Sequence, residues 1–175
     1  MTTENESTRA HIDPPRAEMI RLLRRANQIA LDAWKLGHHP FGAILVAPDN
    51  QTILAEQGNI DTLNHAESTL IRQVYPKFTP TYLWTCTLYT TIEPCVMCAG
   101  TLYWANIGSI VYGVSEVSLL RLTGGHKENP TMNLPCREVF EHGQKQIRLV
   151  GPIPELEDEI LAPHRVFWNQ PTTDA

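Results

Sequence analysis

Residues 88–113 read LYTTIEPCVMCAGTLYWANIGSIVYG. Three elements follow one another in this neighbourhood. Cys86–Thr90 has the β-branched and aromatic content of a strand. Pro94 sets the dihedral of a helix start, and Pro94–Ala105 reads as a helix. Ile110–Val114 is a second strand.

The alternation continues outward. Asn64–Val74 reads as a helix that Pro76 stops. Phe41–Ala47 and Thr52–Glu56 read as the arms of a hairpin, with turn chemistry at Pro48-Asp49-Asn50. Further back, Met19, Leu22, Leu23, Ala26, Ile29, Ala30, Ala33 and Trp34 recur at helical spacing, while Arg21, Arg24, Arg25 and Asp32 lie off that stripe. Asp13 before Pro14 reads as the cap of this helix and Gly37 as its stop. Residues 1–12 read as a flexible tail, so the sequence predicts one domain over 13–175. Beyond 115 the pattern weakens. Gly124-Gly125, Pro130 and Pro135 mark loops, Ile147–Val150 is a last strand, and an acidic helix interrupted by Pro163 ends the chain. Strands alternating with helices predict an α/β protein with helices on both faces of one sheet.

At 175 residues the chain can sustain a core without disulfides. Its composition, 42% hydrophobic and 19% charged, is that of a globular protein. The longest purely apolar run is Ala43–Ala47, far short of the roughly 20 residues that span a bilayer. MTTENESTRA at the start lacks a signal peptide's apolar stretch, so a cytoplasmic location is expected, with no membrane partner. Four cysteines in that compartment point to metal ligands or free thiols. The net charge of −5 includes no basic arm. The cluster Arg21, Arg24 and Arg25 reads as a solvated helix face, so nothing invites a nucleic-acid polymer.

Cys95 and Cys98 form a Cys-x-x-Cys pair at the start of a predicted helix, whose positive end favours thiolates. His65 completes three zinc ligands, one fewer than a closed structural site holds. Glu67, two residues on, could move a proton to and from zinc-activated water. Each feature has a plainer reading. The cysteines alone fit a redox pair, or half of a structural site completed by Cys86, Cys136 or His126. Asn64-x-x-Glu67 fits a capping box. His38 and His39 read as a loop pair, Cys86 as a buried strand thiol, and His126 as a mobile loop residue.

Together, His65-Ala66-Glu67 and Pro94-Cys95-Val96-Met97-Cys98 match the H-x-E…P-C-x-x-C pattern of zinc deaminases. The chain resembles the cytidine deaminase-like superfamily, in its purine-type branch of guanine deaminases, tRNA adenosine deaminases and nucleoside deaminases. The resemblance spans roughly residues 17–115, on PFGAILV (40–46), NHAE (64–67), LYTTIEPCVMCAG (88–100), LYWA (102–105) and IVYG (110–113). It implies a three-layer α/β/α fold around a five-stranded mixed sheet, and a homodimer. It implies a Zn2+ cofactor on His65, Cys95 and Cys98, with Glu67 as the catalytic proton shuttle.

The activity implied is hydrolytic deamination of a nucleobase or nucleoside, releasing ammonia. Phe41 and Trp104 resemble guanine deaminases and tilt the expectation to a purine base such as guanine. Asn59 and the backbone at Ala66 and Pro94 would orient the ring. Adenosine in tRNA, cytosine and other aminated heterocycles remain alternatives. A subunit that keeps zinc for structure alone would not need Glu67, which is present. Phe167 and Trp168 could dock the last helix or close the site.

Overall fold

The computed structural model describes residues 13–127 and 129–169, so the expected tail at 1–12 lies outside the described residues. Five strands form one mixed sheet: β1 (Gly42–Val46), β2 (Ile53–Gly58), β3 (Thr87–Ile92), β4 (Ser109–Val114) and β5 (Arg148–Val150). Their order is β2-β1-β3-β4-β5. The hairpin β1/β2 and the pair β1/β3 are antiparallel, whereas β3/β4 and β4/β5 are parallel.

Alternation along each strand divides the core in two. Ala43, Leu45, Leu88 and Ile110 face one side of the sheet; Ile44, Val46, Tyr89 and Val111 face the other. The second side is covered by α1 (Arg16–Lys35), through Met19, Leu22, Leu23 and Ala26, and by α7 (Glu157–Phe167), through Ile160 and Leu161. The first side is covered by α2 (Ala66–Val74), α4 (Val96–Trp104) and α6 (Cys136–Glu141). This is the three-layer α/β/α architecture expected from the sequence. At Gly42 the backbone of α1 comes so close that an added Cβ would collide with Ala26 and Ala30, so only glycine fits.

Several boundaries differ from expectation. Helix α1 starts at Arg16 with Pro15 as its cap residue, and Asp13 instead pairs with Arg148 of β5. Asp49 accepts from the amides of Gln51 and Thr52, which builds the expected hairpin turn. A short helix α3 (Pro80–Trp84), capped by the Thr79 hydroxyl, stands before β3. Within 115–145 the chain forms α5 (Glu116–Thr123) as well as α6. Helix α7 runs through Pro163 without a break. The residue four before the proline, Glu159, is exposed, so water can meet the carbonyl that the proline leaves unpaired.

Candidate metal centre

The site forms where two helices begin on one side of the sheet. His65 is the cap residue of α2 and Cys95 the cap residue of α4, both in extended conformation; Cys98 lies in the first turn of α4. Both positive helix ends therefore meet at the two sulfurs. His65 Nδ1 lies 3.5 Å from Cys95 Sγ and 3.7 Å from Cys98 Sγ. All three ligand atoms fall within 4.8 Å of one another. Tetrahedral zinc with bonds of about 2.3 Å to sulfur and 2.0–2.1 Å to nitrogen requires N···S separations of about 3.6 Å. The donor set fits the ion in both chemistry and spacing. Opposite its Nδ1, His65 places Nε2 3.1 Å from the Thr62 carbonyl. A proton on Nε2 then leaves the Nδ1 lone pair turned to the metal position.

No fourth protein ligand joins them among the described residues. Cys86 is buried and donates to the Tyr82 carbonyl, and Cys136 is buried at the start of α6. The thiols of Cys95 and Cys98 are free. A three-ligand set with one open position is the arrangement of catalytic zinc.

Electrostatics sharpen the picture. The hydrogen bond from Cys98, opposed by burial and helped by His65, holds the Cys95 thiol down to about 4. The contact with Cys95 pushes His65 up to about 9. Cys98 is raised well above its ordinary value, by its bond to Cys95 and by burial. One sulfur is thus a thiolate already, and a cation would have to displace two protons, that of the Cys98 thiol and that on His65 Nδ1.

Glu67 is buried in the first turn of α2. Its Oε1 accepts from the Thr90 hydroxyl at 2.9 Å and its Oε2 from the Cys98 thiol at 3.5 Å. Burial first, then the negative Cys95, raises its pKa above the ordinary carboxylate value. The capping box is absent, because the Asn64 amide donates to Asp61 Oδ1 at 2.7 Å instead. Asp61 also takes the Leu63 amide and the Asn64 side chain, which fixes the turn leading into His65.

The remaining candidates separate into two groups. The Phe41 ring lies parallel to His65, with centroids 6.5 Å apart. Asn59 is buried, its amide N–H bonds the Phe41 carbonyl, and its Oδ1 has no partner. Ala66 is buried as the first residue of α2. Phe41 and Ala66 therefore adjoin His65, and Asn59 is tied to Phe41. Trp104 stands apart: it is 79% exposed. It shares a stripe with Met97, Gly100 and Thr101, which together with Ile71, Arg72 and Tyr75 line an open groove of about 740 Å³. Cys98, Ala99 and Leu102 form the buried stripe of the same helix. Six residues beyond Cys98, Trp104 lies about 9 Å further along the helix on a different face.

Thr90 and His164 carry no sequence signal of a role, whereas Phe167 and Trp168 are expected to dock the last helix or close the site. His164, fully buried on α7, meets Phe41 edge-on at 4.9 Å, and its Nδ1 accepts from the Trp168 indole N–H at 3.1 Å. Trp168 also packs on His39 at 4.9 Å and His126 at 5.0 Å. These contacts dock the last helix against His39 and Phe41. Their available signal was the aromatic content of Phe167-Trp168 and the glycines before His126.

The profile of the cytidine and deoxycytidylate deaminase zinc-binding region matches residues 17–114. A probable cytosine deaminase of Schizosaccharomyces pombe is 33% identical over 153 residues, covering 86% of this chain and 92% of that protein. The guanine deaminase of Bacillus subtilis is 39% identical over 99 residues, covering 54% of this chain and 63% of that protein. The structure of the guanine deaminase from Nitrosomonas europaea superposes with a TM-score of 0.62 at 19% identity, over 91% of this chain and 87% of that one.

Proposed function

The chain belongs to the cytidine and deoxycytidylate deaminase zinc-binding family, and on that premise we propose that it hydrolytically deaminates a small free nucleobase, with cytosine the first candidate. The observation that carries this reading is the three-ligand centre of His65, Cys95 and Cys98 with the buried carboxyl of Glu67 against Cys98. When bound there, zinc acts as a Lewis acid that makes water nucleophilic at neutral pH.

The rest falls to the chain's own groups. His65, Cys95 and Cys98 would hold the ion, and with Cys98 engaged as a thiolate ligand its bond to Glu67 Oε2 would be lost, leaving that oxygen free to accept a proton from the attacking water. Glu67 would pass that proton to a ring nitrogen and then carry the second proton, from the newly added hydroxyl, to the departing amine, so ammonia leaves and a ring carbonyl remains. Thr90 keeps Oε1 engaged and the carboxyl in place. Phe41 offers a flat apolar face beside His65, and the unpartnered Oδ1 of Asn59 an acceptor for a ring N–H.

Two observations support a small base over tRNA. Trp168, His39 and His126 crowd the Phe41 side of the centre. Arg21, Arg24 and Arg25 are each paired, with Glu18, Glu159 and Glu56. Cytosine leads because the yeast relative covers nearly the whole chain, while Trp104, half of the aromatic case for a purine, stands outside the centre. Guanine is the second reading, supported by the Bacillus subtilis relative. A homodimer through the exposed face at Trp104 and a cytoplasmic location complete the proposal; among the described residues no helix is long and apolar enough to cross a membrane.

The test is ammonia release by the zinc-loaded protein over cytosine, guanine, adenine and their nucleosides. Turnover of cytosine above the others supports the reading. Turnover of guanine instead moves it to the purine, and silence with zinc bound overturns it.

A further inference from the structure

His164 is fully buried on α7. One helical turn on, the Trp168 indole N–H donates to its Nδ1 at 3.1 Å. An imidazole nitrogen that accepts carries no proton, so in the neutral ring the proton stands on Nε2, toward the Pro40 carbonyl. The two nitrogens thus tie α7 to the residue before Phe41 and hold the imidazole in one plane. That plane meets the Phe41 ring edge-on, at 4.9 Å and 67°.

Phe41 needs such a support. It lies just before β1, where its amide closes a tight turn on the His39 carbonyl at 2.8 Å. Two features of the centre depend on it. Its ring stands within 5° of parallel to His65, with centroids 6.5 Å apart. Its carbonyl accepts the Asn59 amide at 2.9 Å, and Asn59 holds the unpartnered Oδ1. His39 and Trp168 reach the Phe41 ring only as tilted rings at 6.4 and 6.5 Å, so among the described residues His164 is its nearest aromatic neighbour. Apolar packing alone does not call for an imidazole here, because a buried polar ring costs stability unless its nitrogens are engaged.

We propose that His164 is a positioning residue for the substrate: locked by Trp168, it fixes the Phe41 ring beside His65 and, through the Phe41 backbone, the acceptor of Asn59. A flat base is thereby held face-on to Phe41 and edge-on to Asn59. His164 acts on binding of the base and leaves the metal ligands and Glu67 as they are. The inference rests on the base-deaminase reading above.

The experiment compares zinc-loaded wild type, H164F, W168F and the double variant H164F/W168F in turnover of cytosine, with zinc content and melting temperature measured beside it. Each substitution keeps an aromatic ring in place and removes the hydrogen bond between the two residues. KM is expected to rise about tenfold in H164F and about threefold or more in W168F. In both, kcat and zinc content stay within about twofold of wild type. The double variant is no worse than H164F, since an indole N–H without its acceptor has nothing left to hold. Calorimetry of cytosine in the inert E67A background shows the same loss as affinity when H164F is added. Lower melting temperatures with KM within about twofold of wild type in both single variants mark a merely structural residue and overturn the proposal. A loss that falls on kcat or on zinc content, with KM unchanged, overturns it as well. A zinc-loaded wild type that does not turn over cytosine, with E67A that does not bind it, overturns the proposal together with the reading beneath it.

Discussion

The hydroxyl of Thr90 donates to Oε1 of Glu67 across 2.9 Å, from β3 to the first turn of α2. The acid is thus held by the sheet rather than by the backbone of its own helix. Glu67→Ala is expected to keep zinc at wild-type stoichiometry and to lose turnover by about 10²–10⁴-fold. Its stability stays within about 1 kcal/mol of wild type or rises, since a buried acid is removed. Thr90→Val removes one of the two acceptor contacts and lowers kcat by about tenfold with zinc unchanged. Metal analysis, ammonia release and urea unfolding check both variants. A stability loss of about 1 kcal/mol with turnover intact would return Glu67 to the capping role.

Zinc should be separable from folding. The ligands stand at helix starts, while the two apolar cores on either face of the sheet are filled by residues such as Leu22, Leu70, Leu88 and Ile160. Chelation is expected to abolish turnover reversibly with little change in far-ultraviolet circular dichroism. His65→Ala, Cys95→Ala and Cys98→Ala each weaken zinc by more than about 100-fold, because three ligands leave none to spare. Competition with a chromogenic chelator measures this. Wild-type zinc affinity in any of the three removes that residue from the ligand set.

His164 predicts a pH dependence of stability. Burial, with His39 adding to it, holds its pKa down to about 3, against 6.5 for an ordinary imidazole. Above pH 6.5 neither state takes the proton and the residue adds no slope. Below it the unfolded chain binds a proton that the folded chain refuses, so stability falls by about 1.4 kcal/mol per pH unit. From pH 7 to pH 5 that loss is about 2 kcal/mol. His164→Phe abolishes this component, so the stability gap between variant and wild type shifts by about that amount in the variant's favour over the interval. Urea unfolding at the two pH values measures it; a gap independent of pH places His164 in contact with solvent.

The metal set was legible because each ligand sits in a local signal: proline before Cys95, two cysteines one helical turn apart, and His65 just before an apolar-periodic helix. The strands β1, β3 and β4 were legible for a similar reason, being short runs dense in β-branched and aromatic residues. Thr90 was not, since a threonine in a buried strand reads as β-propensity until Glu67 is brought opposite it. His164 and Trp168 lie about a hundred residues from His65, and only the folding of α7 onto β4 brings them to Phe41. The α7 proline misled because a break in hydrogen bonding was read as a break in the helix. Trp104 misled in the opposite direction: its motif, LYWA, lies on the ligand helix, but helical periodicity turns it away from the ligands.

That outward position makes Trp104 the most direct probe of assembly. A side chain 79% exposed, lining an apolar groove with Met97 and Tyr75, is a costly surface for a lone protomer. Its ring meets Tyr103 edge-on at 5.4 Å, and the Lys145 ammonium lies 6.0 Å from its centroid. The indole is therefore oriented rather than loose, which lowers the entropy lost on burial. Trp104→Glu is expected to shift the protein from dimer to monomer in light scattering at micromolar concentration, because a buried unpaired carboxylate has no compensation in an apolar contact. Trp104→Phe keeps the dimer and leaves the KM for the base within about threefold, as a residue off the site must. A wild type that is monomeric at all concentrations sinks the assembly, and a tenfold rise in KM for Trp104→Phe returns the residue to the substrate.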